Sequence, residues 1–471
     1  MARLENVVIL GGGLAGLACA HELTKRGCRV VVVEKNGWVG GLASTIVKDG
    51  FRFDTGPHRW YTKHEEINRW LSELLRDELI TIPRLTRIYY MGKMFHYPLR
   101  LRDVLRLGIA PSFRILRDFL LPSARKPVSA DRSLEEAFVE QFGRTLYESF
   151  FREYSEKLWG RPCTDLSADW AFQRTRGLNL GKVLKQALLR RRTARSLATA
   201  FTYPKLGVGR IAERLAEEAR SGGSEVQVDT EVLMLHHRDG RLSRIEAVHQ
   251  GRPIHLPAET VVSTIPIADL VRRLEPPAPL NVLEAAGRLK FRDQIQVTFL
   301  LNGSIELPDN WIYVQDKTIP FTRFTIANNW SSSLSPDGKT SIVFEIPCDE
   351  GDPVWEESDE VLLQRTWDHL LKHFGWAVKA EIVGTHVYRV EKEYPVFERG
   401  YRLQLDAIKL YLGGFSNLHV IGRNGTFQYN NMDHSIMMGL KAARRLLGGQ
   451  VHAGSMEAAN LGDDYLEEMS E

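Results

Sequence analysis

Apolar positions near the amino terminus come in short blocks. Val7-Val8-Ile9-Leu10 is an apolar run that stops at Gly11-Gly12-Gly13. From Leu14 to Lys25 apolar positions recur at helical spacing, and Gly27 closes the segment. Arg29 to Val33 is a second run of buried-strand character, ending at Glu34. Strand, glycine turn, helix and strand in this order predict the βαβ unit of a doubly wound parallel sheet. The pattern from Tyr61 to Leu121 reads as mostly helical, as does Leu134 to Tyr154. Short strands return from Gln227 to Val262, with turns at Asp239-Gly240 and Gly251, and strands dominate again from Ile295 to Phe344. Leu418 to Ile421 is a strand running into Gly422-Arg423, and Ser435 to Leu447 a closing helix. This order predicts an α/β protein whose Rossmann-like dinucleotide-binding domain is discontinuous (1–60, 205–270 and 415–450). A helical insertion is expected over 61–204, a β-rich substrate domain over 271–414 and a tail over 451–471.

Composition narrows the class. A chain of 471 residues exceeds one ordinary core, and 43% hydrophobic with 26% charged residues is a folded globular profile. Lys+Arg 62 against Asp+Glu 59 leaves a formal +3, so no global field selects nucleic acid. Cys19, Cys28, Cys163 and Cys348 are scattered without a CxxC pair, which argues against a metal site or disulfide framework and for a reducing cytoplasm. MARLENVVILGGG is not a signal-peptide pattern, and no window reaches the ~18 apolar residues of a membrane span.

The candidate chemistry begins at the first turn. Gly11, Gly13 and Gly16 form GxGxxG between strand and helix: one glycine for the turn, one for close approach of a pyrophosphate, one for helix-on-strand packing. Leu14 and Ala15 open the helix, whose free N–H groups and partial positive charge suit phosphate. Glu34, followed by Lys35, is placed to accept both ribose hydroxyls of an adenosine, which disfavours NADP. A second glycine pair, Gly40-Gly41 before Leu42, lies just past that carboxylate.

This extended stretch resembles the dinucleotide signature of the flavin-binding amine oxidase superfamily, which implies FAD. Thr230-Glu231-Val232 resembles its adenine-contacting segment, and Val261 to Pro266 its next sheet strand. Several further stretches resemble the UDP-galactopyranose mutases. Gly56-Pro57-His58 is similar to their loop beside the isoalloxazine, and Tyr154-Ser155-Glu156-Lys157-Leu158-Trp159-Gly160 to their YTxKQWG segment. Pro320-Phe321-Thr322-Arg323 resembles their PYTR strand, with Glu345 at about the spacing of their following glutamate. Glu393-Tyr394-Pro395-Val396 precedes Ile421-Gly422-Arg423, and Tyr429 follows with Met432-Asp433 behind it. The chain departs from that pattern at Leu158, Tyr61 and Asn431, and Tyr203 to Gly209 instead resembles protoporphyrinogen oxidases and carotenoid desaturases.

The mutase resemblance implies attack of reduced flavin N5 on the anomeric carbon of a glycosyl or sugar-nucleotide substrate. Arg174 or Arg176, Arg323 and Tyr429 would hold the diphosphate, His58 would stabilise a reduced anionic flavin edge, and Tyr154 and Trp159 would line the site. Gly422, Arg423 and Met432 complete the expected cofactor contacts, and NAD(P)H is a candidate reductant. Two other readings stand beside this one: a direct FAD-dependent oxidoreductase with an apolar pocket, and a non-catalytic flavin scaffold in glycan assembly. The cue for the scaffold is Leu99 to Lys126, where seven basic residues interleave with Leu, Ile and Phe. Such a stretch suits either a solvated helix face or peripheral contact with the inner membrane face.

Overall fold

A computed structural model of the chain describes residues 6–97, 103, 105–120, 131–171 and 199–448. Among them the α/β architecture is plain: a parallel sheet carries the glycine motif, and a larger antiparallel-dominated sheet faces it. The parallel sheet has five strands in the order Leu418–Val420, Thr260–Ser263, Asn6–Leu10, Arg29–Val33, Glu225–Gln227. Its strands come from three distant stretches, the late strand Leu418–Val420 pairing with Thr260–Ser263 at one edge. The helix Leu14–Lys25 crosses from Asn6–Leu10 to Arg29–Val33 and packs on the closing helix Met432–Leu446. Gly439 permits that approach, since a Cβ there would lie 2.3 Å from the Ala15 carbonyl oxygen. Both faces of the parallel sheet are buried, as its nearly continuous valine and isoleucine content requires.

The larger sheet has seven strands in the order Val378–Val396, Lys290–Ile305, Lys339–Cys348, Arg323–Ile326, Trp311–Val314, Thr86–Tyr90, Lys93–His96. On the long strand Lys290–Ile305, Ile295, Val297, Phe299 and Leu301 enter a core of their own. The alternate positions, Gln294, Gln296 and Thr298, therefore share the opposite face. The stretch Tyr61 to Leu121, expected to be mostly helical, departs from that reading. It contains the helix Glu65–Leu75, but also the strands Leu79–Pro83, Thr86–Tyr90 and Lys93–His96. Two of these strands extend the seven-stranded sheet, and the third pairs with Ala200–Pro204. Their β-branched and aromatic content, in LITIP and TRIYY, outweighs the helical spacing once partner strands are supplied by distant chain.

All four cysteines are free and buried. Among the described residues no group of His, Cys, Asp and Glu could hold a metal, and no helix is long and apolar enough to cross a membrane.

Candidate active site

The glycine turn is held as a double loop. Gly11 takes φ +105, and a Cβ there would lie 2.2 Å from Thr264 Oγ1. Gly16 is equally constrained, 2.2 Å from the Gly11 carbonyl oxygen, which lets helix meet strand. Gly13 differs: only the Gly40 carbonyl oxygen lies near its would-be Cβ, at 4.0 Å, so this position faces open space. The second glycine pair folds onto the first. Gly40 N–H donates to the Gly12 carbonyl at 2.8 Å, and a Cβ on Gly41 would lie 3.3 Å from Gly13 Cα. Leu42 sits in the short 3-10 turn Gly41–Ala43 that follows.

Glu34 is 6% exposed. Its Oε2 accepts the Gly12 N–H at 2.8 Å and its Oε1 the Asn36 N–H at 2.9 Å. Burial pushes its pKa up, and these N–H donors oppose the shift. Each oxygen retains lone-pair capacity for a ribose hydroxyl. Thr230 N–H donates to the Glu34 carbonyl, bringing Val232 alongside the carboxylate's strand. Lys35 instead points outward, paired with Glu391 at 2.7 Å. Leu14 and Ala15 are buried in the first helical turn; Gly422 packs on Ala15, and Met432 begins the closing helix.

Opposite the cradle, strand register assembles a row no local motif contains. Tyr388, Gln296, Glu345, Arg323 and Tyr313 are direct partners across five neighbouring strands and so stand on one face. Arg323 Nε lies 3.0 Å from both Glu345 oxygens, and Nη2 also bonds Oε2. Glu345 is 3% exposed, and burial pushes its pKa up while Arg323 holds it down. With both Nε and Nη2 on its oxygens, we assign it as the carboxylate. At one end of the row Tyr388 meets Trp38 of the double loop, rings 5.8 Å apart. At the other end Tyr313 meets Tyr154 at 5.8 Å and Tyr97 at 5.4 Å.

His58 lies within reach of both arginine charges. Burial first, then Arg323 and Arg423, pull its pKa down to about 3, so the ring is neutral at physiological pH. Help to an anionic flavin edge would thus come from N–H donation rather than from charge. Gly56 makes room for the ring, since a Cβ there would lie 2.8 Å from His58 Cε1. Arg423 stacks over Tyr429 and Tyr394 at 4.5 and 4.9 Å, and those two rings are parallel, 5.6 Å apart. Adjacent Glu393 is 5% exposed; burial and then the nearby Glu345 charge push its pKa up to about 8. Gly56 and Pro57 also line a small, partly open apolar hollow with Phe53, Tyr203, Trp330 and Leu334.

The segment Tyr154–Gly160 divides its residues between structure and chamber. A π-helical stretch, Tyr147–Phe151, precedes the helix Arg152–Trp159, which ends at Gly160 in the left-handed region. Tyr154 reaches Tyr313. Trp159 is 2% exposed and wedged between Trp170 and Tyr394, rings 5.6 and 5.9 Å away, so it touches the chamber through Tyr394. Lys157 donates to the carbonyls of Val314, Asp316 and Phe321, tying the helix to the loop before Arg323. Arg174 and Arg176 lie outside the described residues.

Glu345, Glu393, Tyr394, Tyr313, Gln296 and Tyr388 join the site although none was singled out as a site residue. For Glu345, Glu393 and Tyr394 the signal was present in the quoted motifs; for the other three it lies in register alone.

These residues fit the expected FAD. The cradle at Gly13 is open where a cofactor backbone must approach, and a helix amino terminus and a ribose-accepting carboxylate flank it. His58 Nδ1 and Arg423 Nε and Nη2 are buried without a protein partner, as groups awaiting a polar ligand would be.

Comparison with known proteins agrees with this geometry. The family described as flavin containing amine oxidoreductase matches residues 14–447. A solved structure of reduced UDP-galactopyranose mutase superposes with TM-score 0.83 over 97% of this chain and 99% of that chain, at 21% identity. Coproporphyrinogen III oxidase of Propionibacterium freudenreichii subsp. freudenreichii is 23% identical over 445 residues, covering 84% of this chain and 82% of that protein. A 4,4'-diapophytoene desaturase of Methylomonas is 24% identical over 411 residues, 75% of each.

Proposed function

Because the chain belongs to the flavin-containing amine oxidoreductase family and is an FAD-dependent enzyme, we propose that its substrate is an anionic glycosyl compound, a sugar nucleotide, held at the Arg323 face. The observation that carries this reading is the charge of the chamber. Arg323 and Arg423 are cations, Glu345 is an anion, Glu393 stays protonated up to about pH 8 and His58 is neutral. Arg323, bonded to Glu345, and Arg423, whose Nε and Nη2 have no protein partner, stand together with Tyr154, Tyr313, Tyr394 and Tyr429 beside them. A diphosphate matches the charge, whereas a hydrocarbon chain would leave the Arg423 Nε and Nη2 donors unpaired.

Bound flavin supplies either hydride acceptance or, when reduced, nucleophilic displacement at an anomeric carbon. The chain's own residues do the rest. Arg323 is kept charged and oriented by Glu345 while its side chain remains 17% exposed, enough to meet a ligand. Tyr429 is pinned by Tyr394 and Arg423, so its ring has little rotamer freedom left to lose on binding. His58 contributes a neutral N–H. Trp159 supports Tyr394, and Lys157 fixes the loop carrying Arg323.

A second reading, direct oxidation, draws on the apolar lining beside Gly56 and Pro57. One experiment separates the two. Holoenzyme is incubated anaerobically with UDP- and dTDP-sugars, with and without dithionite, while sugar ring form and flavin absorbance are followed. Ring isomerisation only after reduction supports the glycosyl-transfer reading, with NAD(P)H then tried in place of dithionite. Flavin bleaching by an apolar substrate, with no response to sugar nucleotides, overturns it.

A further inference from the structure

The hairpin Thr86–His96 and the helix Ile109–Leu120 carry a surface that the site does not use. Met91 at the hairpin turn is 66% exposed, Leu105 64%, Ile109 92%, Phe113 68% and Leu116 43%. At 100° per residue Ile109, Phe113 and Leu116 fall within about 60° of arc. Ile115 lies on another side of the helix, buried with Ile88, Phe95, Leu146 and Phe150. The helix therefore buries one face and leaves a second apolar stripe in solvent.

The charge around that stripe has one sign. Lys93, Arg106, Arg114 and Arg117 are exposed along it. The acids among the described residues of hairpin and helix, Asp103 and Asp118, are turned inward. Asp103 is fully buried against His96, and Asp118 accepts the N–H and hydroxyl of Thr145 and pairs with Arg117 at 2.9 Å, which offsets that one of the four cations. Arg106 is held in place by the Met94 carbonyl at 2.9 Å and stacks over Phe95. An apolar stripe bordered by fixed cations, with no exposed acid, is the signature of a surface that lies in an anionic lipid interface.

We propose that this face docks the enzyme on a bilayer containing anionic lipid. Tyr313, at one end of the Arg323 row, packs against the same small core that Ile115 enters, and Tyr97 of the hairpin strand's end touches Tyr313. The surface thus adjoins the Tyr313 end of the Arg323 row. The docking stands on exposure and charge alone and does not depend on the sugar-nucleotide reading.

Vesicle sedimentation of the holoenzyme tests it, with phosphatidylcholine alone and with phosphatidylglycerol added. Binding is expected only to the anionic vesicles, falling as salt is raised. I109D/F113D should lower it about tenfold or more, with flavin content and melting temperature unchanged, and R114E should weaken it less. L403D/L410D, on the equally exposed positions of the helix Tyr401–Leu412, should leave it intact. Equal, negligible pelleting with both vesicle types overturns the proposal, as does binding indifferent to I109D/F113D. A dimer in sedimentation velocity that I109D/F113D dissociates would assign the face to a second copy and overturn it too.

Discussion

The cradle on the parallel sheet and the face of the seven-stranded sheet meet at His58, yet they are built from different materials. The cradle is backbone: glycines at Gly11, Gly13 and Gly16, N–H groups, and one carboxylate that itself leans on two N–H donors. The opposite face is side chains: an ion pair and the tyrosines Tyr313 and Tyr388 set by strand register, joined by Tyr154 from a helix and Tyr429 from a loop. Backbone recognition tolerates changes in neighbouring side chains but fails when a Cβ intrudes. Side-chain recognition keeps its shape under conservative change but is sensitive to any loss of charge balance.

The largest expected effect comes from breaking the cradle where backbone meets backbone. Gly16→Ala places a methyl 2.2 Å from the Gly11 carbonyl, and should yield a destabilised protein without flavin. The clash is with backbone that cannot swing aside, so its cost lies above the ~1–3 kcal/mol typical of core overpacking, and the stabilisation by bound flavin is lost with it. Gly13→Ala sharpens the contrast, because its Cβ meets nothing closer than 4.0 Å. It should fold with an apoprotein melting temperature near wild type and yet retain FAD poorly; absorbance at the flavin band against protein checks both.

Next in size is Arg323→Ala. Reading the motif alone, this variant should melt nearly as wild type. The structure changes that expectation, because Glu345 is 3% exposed and would be left as an uncompensated buried carboxylate. Breaking such a pair from one side costs about 3–5 kcal/mol, seen as a large drop in denaturation midpoint. The paired variant R323M/E345Q should recover most of that stability while substrate binding stays lost. Glu34→Ala follows, weakening FAD retention by about 1.5–3 kcal/mol.

How far the sequence foretold these residues follows the same division. GxGxxG, Glu34 and the second glycine pair were legible because each is local and their spacing has one physical use. That Gly40 hydrogen-bonds Gly12 was not, since nothing in the spacing dictates that the second loop folds back on the first. Arg323 and Glu345 were both visible in motifs, but their pairing is a matter of register between adjacent strands. Gln296 and Tyr388 join the row only through pairings of the long strand across some fifty and ninety residues, which no local pattern encodes. The strands between Leu79 and His96 were read as helical for a related reason: their partners are far away in the chain.

Smaller effects sharpen the picture. Glu393 is held protonated to about pH 8, above the ordinary value of 4.5 that the unfolded chain shows. The native state therefore binds the extra proton between those values, and stability from this group is lost as pH rises from about 4.5 to about 8. Glu393→Gln should flatten that part of the melting profile; an unchanged profile would mean the group titrates normally. The smallest effect is that of Tyr429→Phe, which keeps the ring stack and the Arg423 contact. Tyr429 is buried, so the variant's stability should fall by no more than the ~0.5–1.5 kcal/mol of one hydrogen bond, with the larger loss in turnover.

The central claim, that the Arg323 face receives a nucleotide diphosphate, is tested most directly by titrating oxidised holoenzyme with UDP and recording the flavin difference spectrum. The account predicts a saturable perturbation that R323M/E345Q weakens by about tenfold or more, a loss of at least ~1.4 kcal/mol, while that variant keeps its flavin and melting temperature. A spectrum unmoved by UDP, or moved equally in wild type and variant, would contradict it.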